Sequence, residues 1–327
     1  MSQTNVLAAS RIVDPGIPTL SRALNSTELR KQLNEVLPPE WGRVARLETK
    51  ILRHHPANRC AFNIELETTT GKQELIGKVY AKDCSNIYRT MKTLCQSGFG
   101  PTDQFSIPLP VASIPSLKLL LQQKVLGETP TSILTHGDRR EQAMVIERCA
   151  HWLAYFHTHA KPFGRVFIPT GELIKRWQRK SMRRASPLTE KVDLLANGLQ
   201  MALAKLDFSE RCSCHGDFSH RQVLLSGGRT VVFDWDSYCV AHPARDVAKF
   251  TLKLQQLAMK FGSREALNAS ITHFQRSYAG ACRFNVTEQL PFYKAMHCLK
   301  HAKLDNEHQK KTEALLDEGL RIIAQEM

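Results

Sequence analysis

No stretch of the chain carries about 18 or more uninterrupted apolar residues, so a membrane-spanning helix is excluded. Met1 to Leu20 has no basic segment followed by an apolar core, so no secretion signal is expected. There is no internal repeat and no low-complexity segment. The nine cysteines are odd in number and scattered over 327 residues, which argues against a disulfide framework and for free thiols in a reducing cytosol. Cys212 and Cys214 are too close for ordinary zinc spacing and lack a second Cys/His pair, so they read as structural. Acids are scarce as well: 31 Asp and Glu stand against 45 Lys and Arg, a net charge of +14. That excess fits nucleic acid, an anionic membrane surface or a phosphorylated substrate as partner. No helix-turn-helix, zinc-finger or aromatic RNA-binding signature is present, which disfavours nucleic acid.

What is present is an ordinary globular balance, 42% hydrophobic and 23% charged, in a chain long enough for two lobes. An irregular arm leads to a helix that Ser26 or Thr27 would cap, with Leu29, Leu33 and Val36 as its buried stripe and Pro38-Pro39 as its stop. From Trp41 the period becomes two. Phe62, Ile64 and Leu66 alternate with Asn63, Glu65 and Glu67, and further strands are expected at Leu47 to Leu52, Leu75 to Ala81 and Leu117 to Gln123. An irregular loop, His54 to Arg59, joins the first two, and one helix runs from about Ser85 to Ser97. Beyond Gly127 helical spacing dominates, at Met144 to His159, Glu172 to Arg184, Val192 to Leu206, Pro243 to Phe261 and Asp305 to Met327. The expected fold is α+β and bilobal. Residues 1–126 form a small lobe, the helical arm plus an antiparallel sheet with one helix, and residues 127–327 form a larger helical lobe. Nucleotides in such plans tend to bind between the lobes.

The densest chemistry runs from Cys214 to Phe250. His215-Gly216-Asp217 opens it, Gln222 and Val223-Leu224-Leu225 follow, and Ser226-Gly227-Gly228-Arg229 turns the chain into Thr230-Val231-Val232-Phe233-Asp234-Trp235-Asp236. Two apolar runs about Gly227-Gly228 make a hairpin. A five-residue loop would set Gln222 opposite Asp234, and a four-residue loop would offset them by one. Either way oxygen-bearing side chains gather near Asp217, as metal-assisted phosphoryl transfer requires. Mg²⁺ needs only one or two protein oxygens beside phosphate and water. Asp234 supplies a charged oxygen and Gln222 a neutral one, while Asp217 is placed to orient an acceptor hydroxyl and take its proton.

This segment resembles the aminoglycoside phosphotransferase and choline-kinase-type family, with its H-G-D-x-x-x-x-N loop and its strand ending in I-D-x-[DE]. His242-Pro243-Ala244-Arg245-Asp246-Val247-Ala248 is similar to the family's G-D-P-x-x-D-L-A. The resemblance, over roughly residues 45 to 255, implies a protein-kinase-like fold and a phosphotransferase using Mg²⁺ and ATP, with GTP as the alternative. It implies that Asp217 is the base, that His215 and Asp246 hold the loop, and that Gln222 and Asp234 bind the metal. Asp236 either adds a second metal ligand or caps the next segment. Ile76-Gly77-Lys78-Val79-Tyr80 resembles the strand whose lysine meets the nucleotide phosphates, and Leu119 to Gly127 resembles the hinge, so Lys78, Gln122 and Lys124 are the nucleotide-binding candidates. Three departures stand out. Gln222 replaces the usual Asn, as in maltokinase-like members; no Glu lies between Ser85 and Ser97 to pair with Lys78; and His54 to Arg59 has no glycine.

Other features read more simply. His136-Gly137-Asp138 repeats the tripeptide, but Glu141 and a helical pattern follow, so Asp138 is expected to be an N-cap. His157 and His159 belong to an apolar helix and read as structural. Lys175, Arg176, Arg179, Lys180, Arg183 and Arg184 form a basic face, either solvated or facing an anionic acceptor or a membrane surface. The expected activity is phosphorylation of a hydroxyl on a small molecule in the cytoplasm, such as a sugar or sugar-like alcohol, the basic excess leaving room for an anionic acceptor. A catalytically weak pseudokinase that binds nucleotide or a partner is the alternative, motivated by the missing helix Glu and by Gln222. An anionic-surface or nucleic-acid binder ranks behind both.

Overall fold

The computed structural model describes residues 12–181, 187–261, 264–302 and 309–326. In chain order the elements begin with α1 (Leu20–Ala23), α2 (Ser26–Val36), β1 (Val44–His55), β2 (Arg59–Thr68), β3 (Gly71–Tyr80) and α3 (Ser85–Cys95). β4 (Phe105–Ser106), β5 (Pro110–Ile114), β6 (Leu119–Gln123), α4 (Pro130–His136), α5 (Arg139–His159), α6 (Gly171–Ser181) and α7 (Thr189–Leu203) follow. The chain then forms β7 (Cys212–Cys214), β8 (Val223–Ser226), β9 (Arg229–Val232), β10 (Cys239–Ala241), α8 (Ala244–Phe261), α9 (Arg264–Ala281), α10 (Leu290–His301) and α11 (Gln309–Glu326). Two compact units result, one drawn from Met1–Gly127 with Leu224–Asp236, the other from Glu128–Val223 with Ser237–Met327. Leu224–Asp236 thus groups with the first unit, although chain order places it in the second half.

The first unit is built on a five-stranded sheet of order β1-β2-β3-β6-β5, antiparallel throughout. Phe62, Ile64, Leu66, Leu75, Val79, Leu119 and Leu121 point to one buried face, where Leu29 and Leu33 of α2 cover them. At about 25 cal/mol per Å² such burial is the main source of stability here. The cap of α2 is Asn25 rather than Ser26 or Thr27: its side-chain oxygen accepts from the backbone N–H of Thr27 and Glu28 at 3.1 and 3.0 Å. An amide one residue earlier reaches both orphan donors, which displaces the expected hydroxyl caps. The loop expected over His54 to Arg59 is a tighter hairpin tip, since His55 still pairs with Arg59. β4, β9 and β8 form a second small sheet, with Gly227-Gly228 as the turn between β8 and β9.

The second unit is helical apart from the β7-β10 pair. Its core is threaded by a file of aromatic rings. Trp152 stacks on Phe218 at 5.7 Å, Phe218 on Phe250 at 5.2 Å, and Phe250 on Phe274 at 4.1 Å between centroids. The periodicity left α4, α9 and α10 unassigned. For α10 the reason is physical: Leu290, Phe292, Tyr293, Ala295, Met296, His297, Cys298 and Leu299 are all buried, so no polar stripe marks a period. Helix α6 is described to Ser181; Arg183 and Arg184 of the basic face lie outside the described residues. No described helix is long and apolar enough to cross a membrane.

Asp138 is the N-cap of α5 and forms a capping box: its side chain accepts from the Glu141 N–H at 2.8 Å, and Glu141 accepts from the Asp138 N–H at 2.9 Å. Asp138→Ala is therefore expected to cost about 1 kcal/mol, a fall of a few degrees in the thermal midpoint, without altering any activity. A change in turnover with unchanged stability would mean that this tripeptide has another role.

Candidate active site

In the second unit the loop after β7 is held by one buried carboxylate. Asp246, near the start of α8, is fully buried and accepts from the backbone N–H groups of His215 at 2.6 Å and Gly216 at 2.8 Å. His157 of α5 adds its Nε2–H at 3.3 Å and turns Nδ1 to the Tyr278 hydroxyl at 2.7 Å. Burial works against ionisation of Asp246, but the His157 hydrogen bond and charge outweigh it and hold the carboxyl below its ordinary value. Burial likewise opposes protonation of His157, and the bond to Asp246 reverses that, so its pKa stands well above 6.5. Gly216 has φ +79, and a Cβ there would sit 2.1 Å from the Ser237 carbonyl oxygen, so only glycine fits. Phe218, locked in the aromatic file, fixes the far side of Asp217. The Asp217 side chain is 39% exposed, and one oxygen accepts from Lys249 Nζ at 2.9 Å. Lys249 also lies 2.9 Å from His301 Nε2. Gln222, a few residues on, accepts from the Ser219 hydroxyl.

In the first unit a second cluster surrounds Asp234. Its backbone is left-handed, φ +75, which costs a non-glycine residue about 1 kcal/mol or more. Arg59, the first residue of β2, grips it with two parallel bonds of 2.8 and 2.9 Å. Lys78 Nζ on β3 reaches the same carboxylate at 3.0 Å. Asp236 accepts from Arg59 and, at 2.8 Å, from the Tyr80 hydroxyl. Burial disfavours charge on Asp234, yet Lys78 and then Arg59 more than offset it and hold the carboxyl far below the usual range. Arg59 is in turn positioned by the hairpin tip. Asp14 accepts there from the Ala57 N–H at 2.9 Å and from His54 Nε2 at 2.8 Å.

A model of the phosphotransferase enzyme family matches residues 61–279, two thirds of the chain, a span that holds Lys78, Asp217, Asp234, Asp236 and Asp246. The chain belongs to that family. Among solved structures it is similar to choline kinase LicA from Streptococcus pneumoniae, at 16% identity and a TM-score of 0.58, covering 91% of this chain and 98% of that one. A choline/ethanolamine kinase family protein from Mesorhizobium loti aligns at 15% identity with a TM-score of 0.61, over 91% and 98% of the two chains. Amicoumacin kinase hAmiN, solved with AMP-PNP and Ca²⁺, aligns at 13% identity with a TM-score of 0.61, over 90% and 92%. At these identities the likeness establishes the α+β kinase-like fold. No match is found among curated protein sequences.

For a member of the phosphotransferase enzyme family, the missing helix Glu has a clear counterpart. Helix α3 brings no acid to Lys78, which pairs with Asp234 instead. Asp83 serves only Ser85 at the start of α3. Lys78, Asp234 and Asp236 come together, as do His215, Asp217 and Asp246. Gln122 is buried on β6, paired in register with Ile76, and Lys124 is spent on Glu74 at 2.8 Å. Arg59, Tyr80 and Lys249 were not singled out from sequence. Tyr80 had a signal, since it lies two residues from Lys78 and so on the same face of β3. Lys249 had none, because its contact with Asp217 depends on how α8 packs. His157, Cys212 and Cys214 gather their ligand atoms within 4.8 Å, but both ring nitrogens of His157 are committed to Tyr278 and Asp246, which fits a structural role rather than a metal.

Asp234 and Asp236 have the hard-oxygen chemistry of a divalent-cation site, and their carboxylates already converge on cationic groups, Arg59 and Lys78. The residues therefore fit Mg²⁺, with the Arg59 guanidinium as its competitor. Loss of the buried anchor has a definite cost: Asp246→Ala takes from the buried His157 the partner that holds its proton and leaves two N–H groups unpaired. We expect about 3–5 kcal/mol lost in urea unfolding of the second unit. In the wild type the Asp246 contribution is complete above its ordinary pKa of 3.8 and disappears as pH falls through the lower folded value. A cost below about 1 kcal/mol, or one independent of acid, would remove Asp246 from this role.

Proposed function

We propose that the chain transfers the γ-phosphoryl group of a nucleoside triphosphate, ATP or alternatively GTP, to a hydroxyl of a small molecule. The observation that carries this reading is the Asp217 loop, held by Asp246 through two backbone N–H groups, with the base itself half-exposed and steadied by Lys249 at 2.9 Å. Asp217 orients the acceptor hydroxyl and takes its proton as the acceptor oxygen bonds to the γ-phosphorus. The bond from that phosphorus to the β-bridging oxygen breaks, and the nucleoside diphosphate leaves. His215 shapes the loop. Lys78 steadies the phosphates, and Gln122 with Lys124 forms the hinge wall for the base. Asp234 and Asp236 would hold Mg²⁺, which supplies charge neutralisation at the phosphates. A sugar or sugar-like alcohol is the acceptor class we favour, and the cytoplasm the compartment.

One observation favours a second reading. Arg59 occupies both Asp234 and Asp236, so a divalent cation has to displace it, and a module that binds nucleotide or a partner with little turnover is the result if it does not. Thermal unfolding with ATP, GTP and Mg²⁺ separates the two. A midpoint that rises only with nucleotide and metal together supports the enzyme; no rise with either nucleotide supports the module. Asp217→Asn is then expected to lower turnover by roughly 100- to 10,000-fold while the nucleotide-induced rise persists. Turnover that survives the change would sink the mechanism.

A further inference from the structure

Next to His220 and Arg221, on the loop that also carries Asp217, the second unit has an open cavity of about 1010 Å³. Its charged lining consists of Arg221, Lys253, Lys310, Lys311 and Arg321 against Asp317 and Glu318. Both acids are already committed. Glu318 accepts from Arg321 through Nε and a terminal nitrogen, both at 3.0 Å, and Asp317 accepts from Lys191 at 2.7 Å. Arg221 and Lys253, with Lys310 and Lys311 at the start of α11, therefore line the cavity with no further acid among the described residues of its wall.

The cavity and Asp217 share their supports. Arg221 follows Asp217 by four residues in the same loop. Lys253 lies one turn along α8 from Lys249, which touches Asp217. Lys253 is half-buried and donates to Gln256 at 2.8 Å, a neutral acceptor that leaves its charge uncompensated. Burial first, then Lys249, Lys311 and Arg221, push its pKa down to about 8, against the opposing pull of Asp217. The half-buried His301 beside Lys249 is driven down to about 2 by burial and by Lys249, Lys253, Lys300 and Lys311. A site in which like charges outnumber acids is costly until an anion enters it, and it favours an anionic alcohol over a cationic one.

We propose that this cavity receives a phosphate group carried by the acceptor alcohol, so that the substrate is a phosphorylated hydroxyl compound held by Arg221, Lys253, Lys310 and Lys311 with its free hydroxyl toward Asp217. The identity of the reacting hydroxyl rests on the phosphotransferase reading above; the anion site does not. The volume suits a small molecule rather than a polymer.

The test uses the full chain and three matched probes: glycerol, glycerol 3-phosphate and choline. Binding is measured by calorimetry without nucleotide, and phosphoryl transfer is measured separately with ATP and Mg²⁺. Glycerol 3-phosphate is expected to bind, weakening steeply with added salt, while glycerol and choline do not. Lys253→Gln and Lys311→Gln should each weaken it roughly tenfold, the loss of one charge-assisted contact. Lys253→Arg should restore it, and Lys311, being exposed, gives a variant that folds even if Lys253→Gln does not. Unchanged affinity in both Gln variants, or a preference for choline, overturns the proposal. Lysine-dependent binding of glycerol 3-phosphate with no transfer to any of the three alcohols supports the anion site and counts against the phosphotransferase reading.

Discussion

The carboxylate of Asp246 has lost its water, and protein donors have taken the place of that water: two backbone N–H groups of the loop after β7 and the His157 ring. A charge at that depth persists only because each partner is aimed at it. The geometry runs outward from there. Binding consecutive N–H groups forces the chain through the left-handed turn at Gly216, and the turn delivers Phe218 into the aromatic file and Asp217 toward solvent. Of the fourteen phenylalanines and four tryptophans, Trp152, Phe218, Phe250 and Phe274 are spent on this one support. The Asp217 carboxylate owes its position to groups that never leave the interior.

The first unit solves the opposite problem. Asp234 keeps a strained backbone and a forced charge, and Arg59 and Lys78 satisfy it from two adjacent strands. In a kinase-like fold a helix acid commonly holds that lysine; here Asp234 does so itself. The arrangement is electrically closed, two acids against two bases with Tyr80 alongside. Any cation that binds there must therefore compete for its ligands, and a rival for Arg59 opens the way.

Much of this was legible before any coordinates. Alternation of Phe62, Ile64 and Leu66 located the central strand, and the order of His215, Asp217, Asp234 and Asp246 marked a single candidate segment, because each element carries its period or motif in contiguous residues; that Asp217 and Asp234 belong to different units was not written there. Asp138 was separable from Asp217 by what followed it. What escaped was of two kinds. Helix α10 has no exposed face and so no readable period. Arg59 and Lys249 act across the fold, 175 and 32 positions from the acids they hold, and no local pattern records such a pairing. Asn25 escaped for a smaller reason: three successive capping residue types, Asn25, Ser26 and Thr27, compete, and only geometry chooses among them.

The bond from Asp14 ties the start of the chain to the tip of the first hairpin. Asp14 lies outside the sheet, yet it clasps His54 and the N–H of Ala57, and Gly16 approaches so closely that a Cβ there would fall 2.3 Å from the Ala57 Cα. The arm acts as a tether on the turn from which Arg59 departs. Trimming the chain past Asp14 would accordingly slacken the guanidinium's anchorage some forty residues away, and a trim that looks like tidying an irregular end would change which cation the two acids prefer.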